Sequence, residues 1–290
     1  MSRLPDNPDG RMPLLDHLRE LRNRVIKAML GLLAGMVVGW LVKEQVWDIL
    51  RDPFCAVPQS QELKGDSCAL IVNGIFTSFF LNVKIAFIVG VLVSSPLWLY
   101  QLWAFVAPGL LSKEKRWSLL FLGLAIPLFL GGGVLAYFTI EKGLSIFLDF
   151  APEDVAPLIT VDEYLGYLVT MLLVFGLAFE LPLLVSILNL AGALPHSTIK
   201  KFRRTIVFLI FVFAAVATPS PDPFTMLALA APVVVLYGLA DAVAFLVDRR
   251  RAKRPSLYEG LSDDETSVIE AEPFDIGEPI GPPGEGRVKS

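Results

Sequence analysis

The chain has 290 residues, of which 54% are hydrophobic and only 19% charged, and its mean hydropathy is +0.60. A soluble globular chain carries about 25% charged residues, and the ten-residue alternation of a membrane barrel is missing here. The formal charge of −4 originates in the last 35 residues, which hold nine acids; residues 1–254 hold 23 bases against 20 acids.

The apolar residues are gathered in six runs, at about 25–42, 75–106, 117–140, 164–190, 205–217 and 224–247. About 20 helical residues cross the hydrocarbon of a bilayer. Four or five of the six runs meet that length, and the pattern predicts an all-α polytopic membrane protein. The segments are an N-terminal piece over 1–12, a membrane domain over 13–247 and a disordered acidic tail over 248–290, rich in Pro and Gly.

Ahead of the first run, "PLLDHLRELRNRV" places Leu14, Leu18, Leu21 and Val25 on one stripe of a helix. Glu20 and Arg24 stand at i, i+4 on an adjoining polar face. Two readings fit: an interfacial helix with an exposed ion pair, or a carboxylate presented to a cationic ligand. The loop over 44–73 holds both cysteines, Cys55 and Cys68, and a disulfide between them would close it.

The second run is long enough to form one helix of about 50 Å, with Lys84 at its outer boundary. A second carboxylate, Glu114, follows in "LLSKEKRW" on the same membrane face as Glu20. The fourth run contains "GLAFELPLL", with Glu180 inside an apolar stretch and Pro182 two places on. A mid-bilayer carboxylate costs about 2.5–3.5 kcal/mol on insertion scales, so Glu180 must face protein or water. It either makes a buried bond between helices or lines a wet groove where a helix docks.

His196 in "LPHSTIKKFRR" reads as a turn before a Ser-capped helix. The fifth run is only 13 residues long before Thr218-Pro219. It either recruits flanking residues and spans normally, or is short enough to thin the bilayer. Asp241 in the sixth run is placed near the interface, with no assigned role.

Lysine and arginine alternate along the chain. Eighteen fall in clusters over 3–27, 113–116, 200–204 and 249–254, and four in the intervening loops. The positive-inside rule then puts both termini in the cytoplasm, N-in and C-in. No Walker loop, HExxH or GxSxG occurs, and two histidines are too few for a metal centre. The expectation is a non-enzyme with no catalytic residue, metal or cofactor, and no nucleic-acid partner.

The stretches "HLRELRNR", "PLWLYQLWAFVAPGLLSKEKR", "GLAFELP", "STIKKFRR" and "TPSPDPF" resemble successive motifs of the TatC family, the core of the twin-arginine, Sec-independent protein translocase. The resemblance is colinear over about 13–247. It implies a concave, glove-like six-helix fold in the bacterial plasma membrane. It further implies a signal-peptide receptor and assembly platform that exports folded proteins, powered by the proton-motive force. Single-span TatA- and TatB-type partners and a homo-oligomer within the complex are implied as well.

By position, Glu20 and Glu114 match the glutamates that recognise paired arginines. Arg22, Phe105 and Pro108 match their supporting elements. Glu180 matches the fourth-helix glutamate of the concave side, and Pro53 and Asp222 match outward-face positions. A carboxylate binds guanidinium through two parallel hydrogen bonds, which lysine cannot reproduce. Two rivals stand beside this reading: a proton-coupled small-molecule transporter using Glu180 and Asp241 as relays, and a membrane scaffold whose charges serve topology alone.

Overall fold

The computed structural model describes residues 14–57, 70–106, 115–150, 159–190, 192–220 and 222–252. Among these residues the chain is all-helical: α1 Leu14–Leu41, α2 Lys43–Cys55, α3 Thr77–Val93, α4 Ser95–Val106, α5 Lys115–Asp149, α6 Val161–Leu190, α7 His196–Ala217 and α8 Pro223–Ala252. The described residues up to Arg249 form one compact unit.

α1, α5, α6 and α8 are each long and apolar enough to cross a membrane, and α3 with α4 makes a fifth crossing if the bent pair is one span. α7 does not meet that description. Large apolar side chains remain exposed along the outside of these helices, among them Val37, Phe138, Phe208, Val216 and Val235. In water such a surface would be untenable; against acyl chains it is the natural exterior, and the protein is a multi-pass membrane protein.

The amphipathic segment and the first apolar run form one continuous helix, α1. The second run is broken instead: α3 and α4 meet at Ser94 with a bend of 61°. Pro96 explains the break. It has no N–H to give to the carbonyl of Leu92 and fits only the first turn of a new helix. Ser94 closes α3 by donating its hydroxyl to the Gly90 carbonyl at 2.6 Å, and Leu97 and Trp98 restart the ladder on the Ser94 carbonyl.

Helix pairs approach closely where side chains are missing. A Cβ on Gly35 of α1 would stand 2.7 Å from the Gly90 carbonyl oxygen of α3, and one on Gly39 would stand 2.6 Å from that of Ala86. α5 and α6 meet the same way: a Cβ on Gly132 would stand 2.5 Å from the Phe175 carbonyl oxygen, and one on Gly176 would meet the Phe129 ring at 2.6 Å. Small residues permit such backbone approach, and dispersion then holds the pair together in lipid.

α6 supplies the centre of the larger core. Tyr164, Leu168, Met171, Phe175 and Ala178, at intervals of three and four, are all buried. They pack with Leu50 and Phe54 of α2, Ile140 of α5 and Val233 and Tyr237 of α8. A second core gathers Leu99 and Trp103 of α4, Phe121 and Phe129 of α5, and Leu183 and Ile187 of α6.

Candidate functional site

The helical register of α1 sets Glu20 one turn before Arg24. Arg24 donates from Nε at 2.9 Å and from Nη2 at 2.5 Å, both to Glu20 Oε1. The two side chains are each about a quarter exposed, at 25% and 23%. Glu20 is thus held by a guanidinium on a surface a ligand can reach, and Arg22 is exposed on the same helix. Phe105 stands half-buried near the end of α4. Pro108, Glu114 and Cys68 lie outside the described residues.

Glu180 is buried, at 4% exposure. Trp103 of α4 donates its indole N–H to Glu180 Oε2 at 3.2 Å, while Oε1 is buried with no hydrogen-bond partner among the described residues. Trp103 and Glu180 thus form a buried bond between α4 and α6. The tryptophan stands two residues before Phe105, so the brace on Glu180 also fixes the end of α4.

Pro53 lies inside helix α2, not in an irregular loop, and is buried. Its missing N–H leaves the Ile49 carbonyl unused within the helix, and Tyr137 of α5 donates its hydroxyl there at 2.8 Å. One residue on, Tyr164 of α6 donates to the Leu50 carbonyl at 2.6 Å, with its ring 5.3 Å from that of Phe54. The proline therefore converts a helix carbonyl into an attachment point for a neighbouring helix. Cys55, at the end of α2, is not a free thiol.

Asp222 caps α8. Its Oδ1 accepts the Thr225 backbone N–H and its Oδ2 the Thr225 hydroxyl, both at 2.6 Å, with Pro223 at the first helical position. Asp-Pro-x-Thr satisfies the free donors of the first turn and complements the dipole. The carboxylate is buried, and its role here is to start a helix.

α7 differs from its sequence expectation. Its N-cap is Pro195 in extended conformation, with no side-chain cap of its own, so Ser197 does not cap it. Asp248, from α8, accepts the His196 backbone N–H at 2.7 Å and the Asn189 amide at 3.2 Å. Asp241 likewise does not reach for water. It is 6% exposed and accepts from Arg203 Nη2 at 2.5 Å, with His196 Nδ1 3.1 Å from its other oxygen.

Glu20, Pro53, Glu180 and Asp222 are joined to Arg24, Tyr137 (through Ile49), Trp103 and Thr225 respectively. Sequence reasoning missed Trp103, Tyr137 and Asp248. Each acts across a helix–helix contact, for which one-dimensional periodicity carries no signal; only the freed carbonyl behind Pro53 hinted that a donor was needed. Among the described residues no three His, Cys, Asp or Glu side chains are grouped to hold a metal ion.

Residues 16–232 match the family model "Sec-independent protein translocase protein (TatC)". The TatC protein of Frankia casuarinae is 47% identical over 269 residues, covering 90% of this chain and 74% of that one. That of Corynebacterium kroppenstedtii is 37% identical over 290 residues, covering 93% and 70%. A crystal structure described as the twin-arginine translocase receptor TatC superimposes with a TM-score of 0.65 at 30% identity, over 79% of this chain and 99% of that one. The motif residues, the all-helical fold and these matches agree, and the chain belongs to the TatC family of Sec-independent protein translocase proteins.

Proposed function

We propose that the chain is the receptor for the paired arginines of a signal peptide and the assembly platform of a translocase that exports folded proteins across a bacterial plasma membrane. The observation that carries this reading is the Glu20–Arg24 pair. Glu20 already accepts a guanidinium on a reachable surface, and both of its bonds fall on one carboxylate oxygen. An incoming arginine engages the other oxygen or displaces Arg24, exchanging like for like with little desolvation. Glu114 takes the second arginine, with Arg22, Phe105 and Pro108 shaping the surroundings.

Charge-assisted bonds contribute about 1.5–3 kcal/mol each, so loss of bidentate geometry at two arginines weakens binding about a hundredfold. The indole of Trp103 links that region to Glu180, and the cargo's apolar segment or a partner helix engages near this carboxylate after initial recognition. Six crossings with both termini cytoplasmic, a Cys55–Cys68 disulfide on the outer face beside Pro53, TatA- and TatB-type single-span partners, assembly with further copies of itself, and energy from the proton-motive force complete the reading. Asp222 holds the outward end of α8.

The test is photo-crosslinking of signal peptides to the protein in membranes. An Arg-Arg peptide crosslinks and a Lys-Lys peptide does not; Glu20→Ala or Glu114→Ala abolishes the Arg-Arg signal, and Glu180→Ala spares it while impairing deeper insertion. Crosslinking that ignores both the dipeptide and the two glutamates would refute the receptor role. The transporter alternative asks Glu180 and Asp241 to form a relay. Their partners, Trp103 on one side and Arg203 with His196 on the other, are distinct.

A further inference from the structure

One polar cluster is left unused by the receptor reading. A cavity of about 580 Å³ opens between α7 and α8. His196, Lys200 and Arg203 line it from one face of α7, at spacings of four and three residues. Asp241 lines it from α8. Arg203 donates to this buried carboxylate and His196 Nδ1 lies 3.1 Å from its other oxygen; the bond fixes the Arg203 head at the cavity while its side chain stays half exposed, at 53%. Lys200 also lines the cavity and has no ion-pair partner among the described residues. Among the lining side chains two permanent cations thus face one carboxylate; Asp248, on the His196 backbone N–H, is not part of the lining.

The remaining walls are apolar. Val207 and Phe245 line the cavity, and the Phe245 ring packs edge-on against His196 at 5.3 Å. Space is left because α8 carries Gly238 there: a Cβ built on it meets nothing within 4 Å. On either side, Phe208, Leu209, Leu239 and Leu246 are exposed large hydrophobics of the same two helices, the surface that meets acyl chains.

We propose that this cavity binds the phosphodiester headgroup of an anionic phospholipid, with an acyl chain along its apolar wall. The guanidinium and ammonium groups supply charge-assisted donors for phosphate oxygens. A soluble phosphate would satisfy the same donors but leave the Val207 and Phe245 wall wet, so the lipid is the ligand that fits both halves. The assignment does not depend on signal-peptide recognition.

The test is native mass spectrometry of the full-length protein in mild detergent, titrated with dioleoylphosphatidylglycerol or dioleoylphosphatidylcholine. The phosphatidylglycerol adduct forms at least tenfold more tightly. Lys200→Gln weakens it about fivefold, the loss expected for one cation at a headgroup. Gly238→Leu fills the cavity and weakens it at least as much while the His196–Asp241–Arg203 cluster stays intact, which an unchanged unfolding temperature verifies. Should Gly238→Leu fail to fold, Lys200→Gln alone decides the matter. Lys201, which packs over Phe202 rather than in the cavity, is the control, and Lys201→Gln leaves retention unchanged. Equal retention of both lipids, or wild-type retention in Lys200→Gln, overturns the proposal. So does displacement of the lipid by millimolar inorganic phosphate, which would mark a free-anion site.

Discussion

Pro53 acts through a bond it cannot make. The carbonyl of Ile49, left over within α2, is taken by the Tyr137 hydroxyl, so proline and tyrosine form a coupled pair across two helices. Tyr137→Phe removes the donor and lowers stability by about 1 kcal/mol. Combined with Pro53→Ala, which restores the internal N–H, the same change costs markedly less. Thermal unfolding of the two single variants and the double variant reads the coupling, and equal costs of Tyr137→Phe in both backgrounds would dismiss it. At this scale the sequence was partly legible. That Glu20 pairs with Arg24 follows from helical spacing, and that Glu180 is sheltered follows from the cost of a bare carboxylate in lipid. The identity of the shelter, Trp103, was not legible, because a hydrogen bond between residues 77 apart leaves no periodic trace. Asp241 was read as reaching for water for a related reason: hydropathy alone cannot distinguish such an acid from one that Arg203 pairs with inside the protein.

Between elements, the decisive contacts are made by absent side chains. Three successive glycines on α5 differ sharply in surroundings: a Cβ on Gly131 meets nothing within 4 Å, whereas one on Gly132 collides with the α6 backbone. Alanine raises helix propensity by about 1 kcal/mol at either position. Gly131→Ala therefore stabilises the protein slightly, and Gly132→Ala destabilises it by about 1–3 kcal/mol. Opposite signs at adjacent residues, read as unfolding temperature in one detergent, are the expected outcome; equal shifts would contradict the packing described. The apolar runs located most of the helices. The second run was read as one long helix because it is uniformly hydrophobic, although "SSPLW" held the cue: a proline without an N–H, two residues after a serine able to close the preceding turn. α7 was read with a cap of its own, and the capping group came from Asp248, 52 residues further along.

For the molecule as a whole, the family could be read from motif order, whereas span number is a matter of geometry. Four helices satisfy the length and hydropathy of a crossing, or five with the bent pair; the proposed sixth, α7, carries Lys200, Lys201, Arg203 and Arg204 in its first turns and has only a short apolar remainder. The proposed topology makes a direct prediction. In intact cells treated with an impermeant reductant and a thiol-reactive polyethylene glycol, Cys55 and Cys68 become labelled, and without reductant they do not. Labelling without reductant would deny the disulfide, and protection in both conditions would invert the loop.

The bend at Ser94 has a mechanical side. Trp103 stands nine residues beyond it, about 13 Å along α4 at 1.5 Å per residue, and Phe105 about 16 Å. A rod hinged at Ser94 moves these two points by nearly equal amounts, so its outer end has almost no gearing over the indole. A tilt of about 4° shifts Trp103 by about 1 Å, which carries a contact already at 3.2 Å past hydrogen-bonding distance. A tilt of a few degrees at the end of α4 would therefore release the carboxylate of Glu180 on α6.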